Sequence, residues 1–248
     1  PLWSIPTSGA VLVASSVGVP TWRATGTSGQ ILESTGGTPT WTDRPLEDGW
    51  TVAGETWTYA TVTTFTVSGD QTAKYTVGTK LKLTQTTVKY FHVQSASFAA
   101  GITTVTVITQ TDYTLANAAI TSPFYSYVDN PQGFPHWFTY APTITGYSAN
   151  PTSTVYKFTI NGRTCIVSLQ EDGAGTSNAT TLAMSAPIST TTISPVATQF
   201  ENNSVISAVP GYGEIAGSTI NFYTGWQGAS WTASGGKRIL KATLVYAI

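Results

Sequence analysis

The run Thr154–Leu169, TVYKFTINGRTCIVSL, decides the fold class. Thr154, Tyr156, Phe158 and Ile160 recur at every second position, the period of a strand with one buried face. Asn161–Gly162 follows at once, and this pair supplies the positive backbone angles of a two-residue hairpin turn. Cys165, Val167 and Leu169 then restart the alternation, so the stretch reads as two antiparallel strands joined by a tight turn. Cys165 is the lone cysteine, which excludes an internal disulfide and reads as a buried apolar thiol.

The same texture extends in both directions. Toward the C-terminus, strands are expected at Ile188–Ile193, Ser218–Tyr223 and Arg238–Ile248, the last with Leu240, Ala242, Leu244, Tyr246 and Ile248 on one side. Toward the N-terminus, Trp57–Val67 alternates apolar residues at odd positions, and further strands are expected at Lys80–Thr84, Val88–Val93 and Thr103–Ile108. Helical periodicity is confined to short turns at Leu115–Ile120 and Ala197–Asn202. Between Pro123 and Pro142, four prolines interleave with seven aromatics. That composition predicts a packed connector that is not a central strand.

The chain opens on a doublet. Thr7–Trp22, TSGAVLVASSVGVPTW, recurs as Thr27–Trp41, TSGQILESTGGTPTW. A unit of about 20 residues cannot cover its own tryptophan, so Leu12, Trp22, Leu32 and Trp41 are the candidate assembly residues. These signals predict an all-β protein of antiparallel sandwich or jelly-roll domains behind an extended N-terminal repeat arm. The expected divisions are an arm over 1–45, a β domain over 46–140 and a terminal sandwich over 141–248.

Composition narrows the functions. Charged residues make up 9% of the 248-residue chain, against about 25% in an ordinary protein. Net charge is −1, which offers no basic field for nucleic acid. No stretch reaches the ~18 apolar residues of a membrane span, and the start lacks a signal-peptide pattern, so a soluble, unprocessed protein is expected. Threonine is close to a fifth of the sequence and suits solvated strand faces.

Chemical signatures are weak. His92 and His136 share no metal-ligand spacing; His92 reads as a strand residue with a polar partner, and His136 as packing or surface. Asp43, Glu47, Asp48 and Glu55 are scattered carboxylates, and Glu171–Asp172 sits in EDGAG, a solvated-turn composition. Lys237–Arg238 reads as a turn-edge charge pair. No metal, cofactor or catalytic residue is therefore expected. What remains is recognition: Tyr212, Tyr223, Trp226 and Trp231 lie in Gly-rich segments (PGYGE, FYTGWQGASW) and are the candidate contacts to a host glycan.

The doublet resembles the short Gly-x-x-Leu…Pro-x-Trp repeats of bacteriophage tail-fibre and related virion proteins. TSNATTLAMSAPIS (Thr176–Ser189), STINFY (Ser218–Tyr223) and WTASGGKRILKATLVYAI (Trp231–Ile248) are similar to the C-terminal domain of phage tail fibres. WTYATVTTFTVSGDQTAKYTVGTKLKLTQ and FYSYVDNPQGFPHWF resemble a domain of phage minor structural proteins. The resemblance implies a non-enzymatic homotrimer, assembled in the host cytoplasm and located in the virion. Its arm would attach to other virion proteins, and its surface would contact a host glycan or protein. A secreted, monomeric carbohydrate-binding module is the alternative, and a polysaccharide depolymerase the third reading.

Overall fold

The computed structural model describes residues 10–14, 20–27, 30–34, 38–43, 48–190 and 194–248. Every regular element among them is a strand. The chain divides into two compact units, 1–48 and 49–248.

The arm contributes two hairpins. Strand β1 (Val11–Ala14) pairs with β2 (Pro20–Arg23), and β3 (Gln30–Glu33) with β4 (Thr40–Asp43). The registers repeat the sequence doublet: Leu12 faces Trp22, and Leu32 faces Trp41. The central stretches of both repeats lie outside the described residues. Trp41 is half-buried because the link between hairpins covers it. Its indole N–H donates to the Ala24 carbonyl at 2.7 Å. Gly26 lies so close to the ring that a Cβ there would stand 2.6 Å from it. Leu12 and Trp22 remain 45% and 42% exposed.

In the second unit, β5 (Thr51–Val52), β6 (Thr58–Thr61), β7 (Thr64–Ser68), β8 (Lys80–Thr84), β9 (Val88–Ala99), β10 (Ile102–Val107) and β11 (Thr121–Ser126) form one antiparallel sheet. Their order is β5-β11-β8-β9-β10-β7-β6. The expected strand Trp57–Val67 is a hairpin, turning at Val62–Thr63 between β6 and β7. A mid-run turn keeps Tyr59 opposite Phe65, so the odd-position pattern survives the fold-back. Pro123 lies inside β11, contrary to the connector expected there, because the register slips between Thr121 and Phe124. An irregular position leaves no ladder hydrogen bond for the proline to miss.

The second sheet takes β12 (Phe138–Thr139), β13 (Ile144–Thr145), β14 (Tyr147–Ala149), β15 (Thr154–Asn161), β16 (Thr164–Glu171), β17 (Gly175–Ser177), β18 (Leu182–Ser185), β19 (Ser194–Asn202), β20 (Val205–Ile206), β21 (Gly211–Ala216), β22 (Thr219–Tyr223) and β23 (Gly236–Ala247). Its spine runs β12-β15-β16-β23-β19-β21-β22-β18-β13. The β15–β16 hairpin forms where the alternation places it, but its two-residue turn is Gly162–Arg163 and not the expected Asn161–Gly162. Asn161 joins the ladder facing Thr164, Ile160 faces Cys165, and of the Asn–Gly pair Gly162 alone takes a positive φ. Ala197–Asn202, expected as a helical turn, belongs to β19. Thr198 and Phe200 alternate inward there, and β21 and β23 supply its ladder partners. No helix forms at 115–120. Part of the strand expected at Ile188–Ile193 lies outside the described residues.

Two apolar cores hold this unit. One gathers Trp57, Phe65, Tyr75, Leu81, Phe91 and Val105 on one face of the first sheet. The other joins Trp50, Ile108 and Phe134 to Phe158, Val167, Phe222, Trp231 and Leu244 of the second half. The boundary expected near Tyr140 thus falls beside a shared core, with Phe138 already in the second sheet. Cys165 is a free, fully buried thiol in that core, pushed up to about 12 by burial.

Candidate functional site

The PGYGEIA segment builds one edge of an aromatic cluster at the surface. Along β21, Gly211, Gly213 and Ile215 point inward while Tyr212, Glu214 and Ala216 point outward. The inward positions need glycine. A Cβ on Gly211 would come within 2.7 Å of the Phe200 ring, and one on Gly213 within 3.1 Å of Phe222. Removing side chains below lets the core rings touch backbone, and the alternation then places a tyrosine and a carboxylate on the outer face.

The register completes the group. Tyr212 faces Tyr223, and Glu214 faces Asn221 across β22. On the flanking strands Ala197 and Pro195 face Tyr212 and Glu214, and Ala183 faces Asn221. Such small neighbours leave the rings raised above the sheet. Tyr212 and Tyr223 stack at 5.6 Å with 24° between planes. Trp226, 57% exposed, lies 5.2 Å from Tyr212. Its loop is closed by hydrogen bonds from Thr224 N–H to Ala229 O (2.9 Å) and from Gly228 N–H to Gly225 O (3.1 Å). Tyr212 is therefore the middle ring of three.

Glu214 organises the polar side. It accepts from the Tyr212 hydroxyl at 2.7 Å and from the Tyr223 hydroxyl at 3.3 Å. The hydrogen bond to Glu214 raises Tyr212 above the ordinary tyrosine range, and burial does most of the same for Tyr223. Both phenols stay protonated at neutral pH. A carboxylate has about four acceptor sites, so two remain for a ligand. Grooves of about 280 Å³ (Ala197–Gln199, Ser207–Pro210) and about 100 Å³ (Thr180–Leu182, Asn221–Tyr223, Gly228, Ser230) adjoin the group. An open ring face, a free carboxylate edge and a neighbouring amide suit a ligand with one apolar face and many hydroxyls.

No known protein family, curated protein or solved structure matches the chain.

The other expected site residues sort differently. Trp231 is 2% exposed and belongs to the core. Its indole donates to the Phe222 carbonyl at 2.7 Å, and its ring meets Phe200 edge-on at 5.3 Å. The GASW loop turns this residue under β22, where Thr180 accepts its backbone N–H, so it cannot meet a ligand. Leu12, Trp22, Leu32 and Trp41 pair within the two arm hairpins, as above.

Two charged residues read as surface or turn groups, Glu171 and Lys237, are internal. Glu171, expected in a solvated turn, is 1% exposed and accepts from Tyr147 (3.0 Å), Tyr156 (2.8 Å) and the Ile239 amide (2.6 Å). Lys237, expected at a turn edge, is fully buried. Its ammonium donates to the carbonyls of Gly146, Ala179 and Thr181 at 2.7–3.2 Å, and burial brings it down to about 8. Arg238 pairs with Glu201 at 2.7 Å. Glu171 and Lys237 lie where long strands end against neighbouring loops, so alternation fails to report their burial, whereas Arg238 stays partly exposed. Glu214 and Asn221 were missed as site residues, although the period-2 reading of GYGEIA puts Glu214 beside Tyr212.

His92 is 1% exposed, between Phe134 (4.9 Å) and Phe138 (5.4 Å). Its Nδ1 lies 3.3 Å from the Gly78 carbonyl, the polar partner expected for it, while Nε2 has none among the described residues. Burial drives it down to about 3, so the ring is neutral at ordinary pH. His136 is exposed. No cluster of metal-ligating side chains occurs among the described residues.

Proposed function

We propose that the protein is a non-enzymatic structural component of a bacteriophage particle, a fibre, spike tip or decoration. In this reading it holds its place through the repeat arm and meets a hydroxyl-rich host surface through the Tyr223–Tyr212–Trp226 face. The exposed aromatic stack with its central carboxylate carries the recognition half of the proposal. Glu214 is the one carboxylate of that group, whereas sugar hydrolysis uses two at about 5–9 Å, which supports binding without cleavage. The arm supports the assembly half. Two-stranded hairpins are marginal alone, and Leu12 and Trp22 keep apolar surface in water that a neighbouring chain would cover.

Calorimetric titration with polysaccharide from candidate host envelopes tests recognition. The wild-type chain is expected to bind and Tyr212→Ala to bind at least about tenfold more weakly. Equal affinity in the two would end the assignment of this face. Deleting residues 1–45 is expected to leave residues 49–248 folded and to abolish incorporation into particles.

A carbohydrate-binding module is the second reading, favoured by one observation: residues 49–248 form a compact unit with cores of their own. Solution mass separates the two. A stable multiple of 26.2 kDa supports the virion component, and a monomer the module.

A further inference from the structure

Two lysines of the second unit are buried, and they are treated in opposite ways. Lys237 gives its hydrogens to three carbonyls. Lys80, 5% exposed at the start of β8, makes no hydrogen bond or ion pair with any described residue. The Phe134 ring lies 5.8 Å from the ammonium, the Asp129 carboxylate offsets part of the downward push of burial, and the neutral His92 stands opposite Lys80 in the ladder. The side chain is buried but its ammonium keeps contact with solvent at a cleft and has no acceptor among the described residues, so its demand for negative charge is left to whatever enters there.

The surroundings meet that demand with more donors. Lys80 lines a cleft of about 170 Å³ together with Thr76, Thr79, Ser126, Asp129 and Arg163. Arg163 sits at the β15–β16 turn. Its Nε donates to the Ile248 carbonyl at 3.2 Å, and its Nη donors have no described partner. The Thr76 and Thr79 hydroxyls lie 3.2 Å apart. The geometry is fixed by backbone: a Cβ on Gly78 would stand 2.7 Å from the Gly162 carbonyl, so the turn carrying Arg163 is seated directly against the lead-in to Lys80. Two cations from different sheets therefore line one small open space together with these hydroxyls. Lys82, the next lysine on the same face, differs, for it lies over Trp50 at 4.7 Å and Phe124 at 4.4 Å.

We propose that this cleft is an oxyanion site of phosphate size, with the Lys80 ammonium and the Arg163 guanidinium as its charge partners and threonine hydroxyls as further donors. Asp129 stands on the rim, exposed, and opposes the anion. The site is separate from the aromatic face and does not depend on the function proposed for it.

Thermal unfolding of the full chain at fixed ionic strength, titrated with inorganic phosphate or with dimethyl phosphate against chloride, tests the proposal. A saturable rise in Tm beyond the chloride control is expected. Arg163→Gln should weaken the apparent affinity about tenfold, the scale of a lost charge-assisted hydrogen bond. Lys80→Met, which fits the same space without charge, should abolish the response, and Asp129→Asn should tighten binding severalfold. Arg163 and Asp129 are exposed, so those variants keep the fold even if Lys80→Met does not. Response to dimethyl phosphate as well assigns the site to a phosphodiester in a polymer. Response to inorganic phosphate alone assigns it to free or terminal phosphate. No saturable rise in the wild type, or affinities unchanged in Arg163→Gln and Asp129→Asn, overturns the proposal.

Discussion

Two Tyr–Glu–Tyr groups stand in the same sheet, made of the same chemistry and put to different uses. Glu171 accepts from Tyr147 and Tyr156 inside the molecule, with the Ile239 amide as a third donor. Glu214 accepts from Tyr212 and Tyr223 on the outer face, with no third donor among the described residues. Burial raises Glu171 above the ordinary carboxylate range even though all three hydrogen bonds pull it down, so desolvation wins there. Around Glu171 three of about four acceptor sites are committed to holding strands together. Around Glu214 half of them face water. The difference lies in the neighbours: Lys237 and the Arg238–Glu201 pair crowd the first group, whereas Ala183, Ala197 and Pro195 flank the second. A hydrogen-bonded tyrosine pair is a brace when covered and a platform when flanked by small residues.

The largest expected effect breaks the brace. Glu171→Ala should destabilise the fold by about 3–5 kcal/mol in urea unfolding, because two phenols and an amide lose a buried acceptor. Glu214→Ala should cost less than about 1 kcal/mol, since water replaces the carboxylate. Similar losses at the two positions would erase the distinction drawn here.

pH sharpens the comparison through groups of opposite sign. His92 has a folded value of about 3 against about 6.5 unfolded, so its contribution is present above pH 6.5 and is lost as pH falls. Stability should drop by up to about 1.4 kcal/mol per pH unit across that window, and His92→Leu should flatten this limb. Glu171 is raised, so its contribution is present below the ordinary carboxylate value of about 4.3 and is lost as pH rises through the folded value. Glu171→Gln should remove that second slope in the same titration, and Glu214→Gln should leave it intact. If Glu214→Gln removes it instead, the charge assigned to the interior has been misplaced.

The smallest structural effect should accompany the clearest functional one. Trp226→Ala, in an exposed loop, should change Tm by no more than a degree or two, consistent with a surface change of about 0.5 kcal/mol. It should nevertheless weaken binding to a recognised polysaccharide severalfold. Trp231→Ala should do the reverse, losing about 3–5 kcal/mol of stability as a core indole is deleted.

Much of the sheet was legible because alternation is a local property. TVYKFTINGRTCIVSL carries the alternation of both its strands, whereas the hairpin register of the arm, Leu12 to Trp22 and Leu32 to Trp41, emerged only in the structure. Three of the four aromatic site candidates also came from local texture, since Gly-flanked rings on a hairpin tend to stand outward. Trp231 broke that rule because its loop folds back beneath β22, a turn fixed by contacts with Thr180 and Phe222 far off in sequence. The proline of β11 and the hairpin inside Trp57–Val67 were hidden for a similar reason. A register slip and a fold-back both preserve the composition that a reader of the sequence uses.

By itself, then, the chain of residues determined that this is an all-β protein, where most strands run and which side of each faces inward, because a two-residue period is written into every strand. Only the tertiary structure decided which charges are internal. Burial of Lys80, His92, Glu171 and Lys237 depends on which distant loop or strand lies over them, and that is a long-range choice no local pattern records. The same choice left Trp226 exposed and Tyr212 and Tyr223 half-buried at the surface.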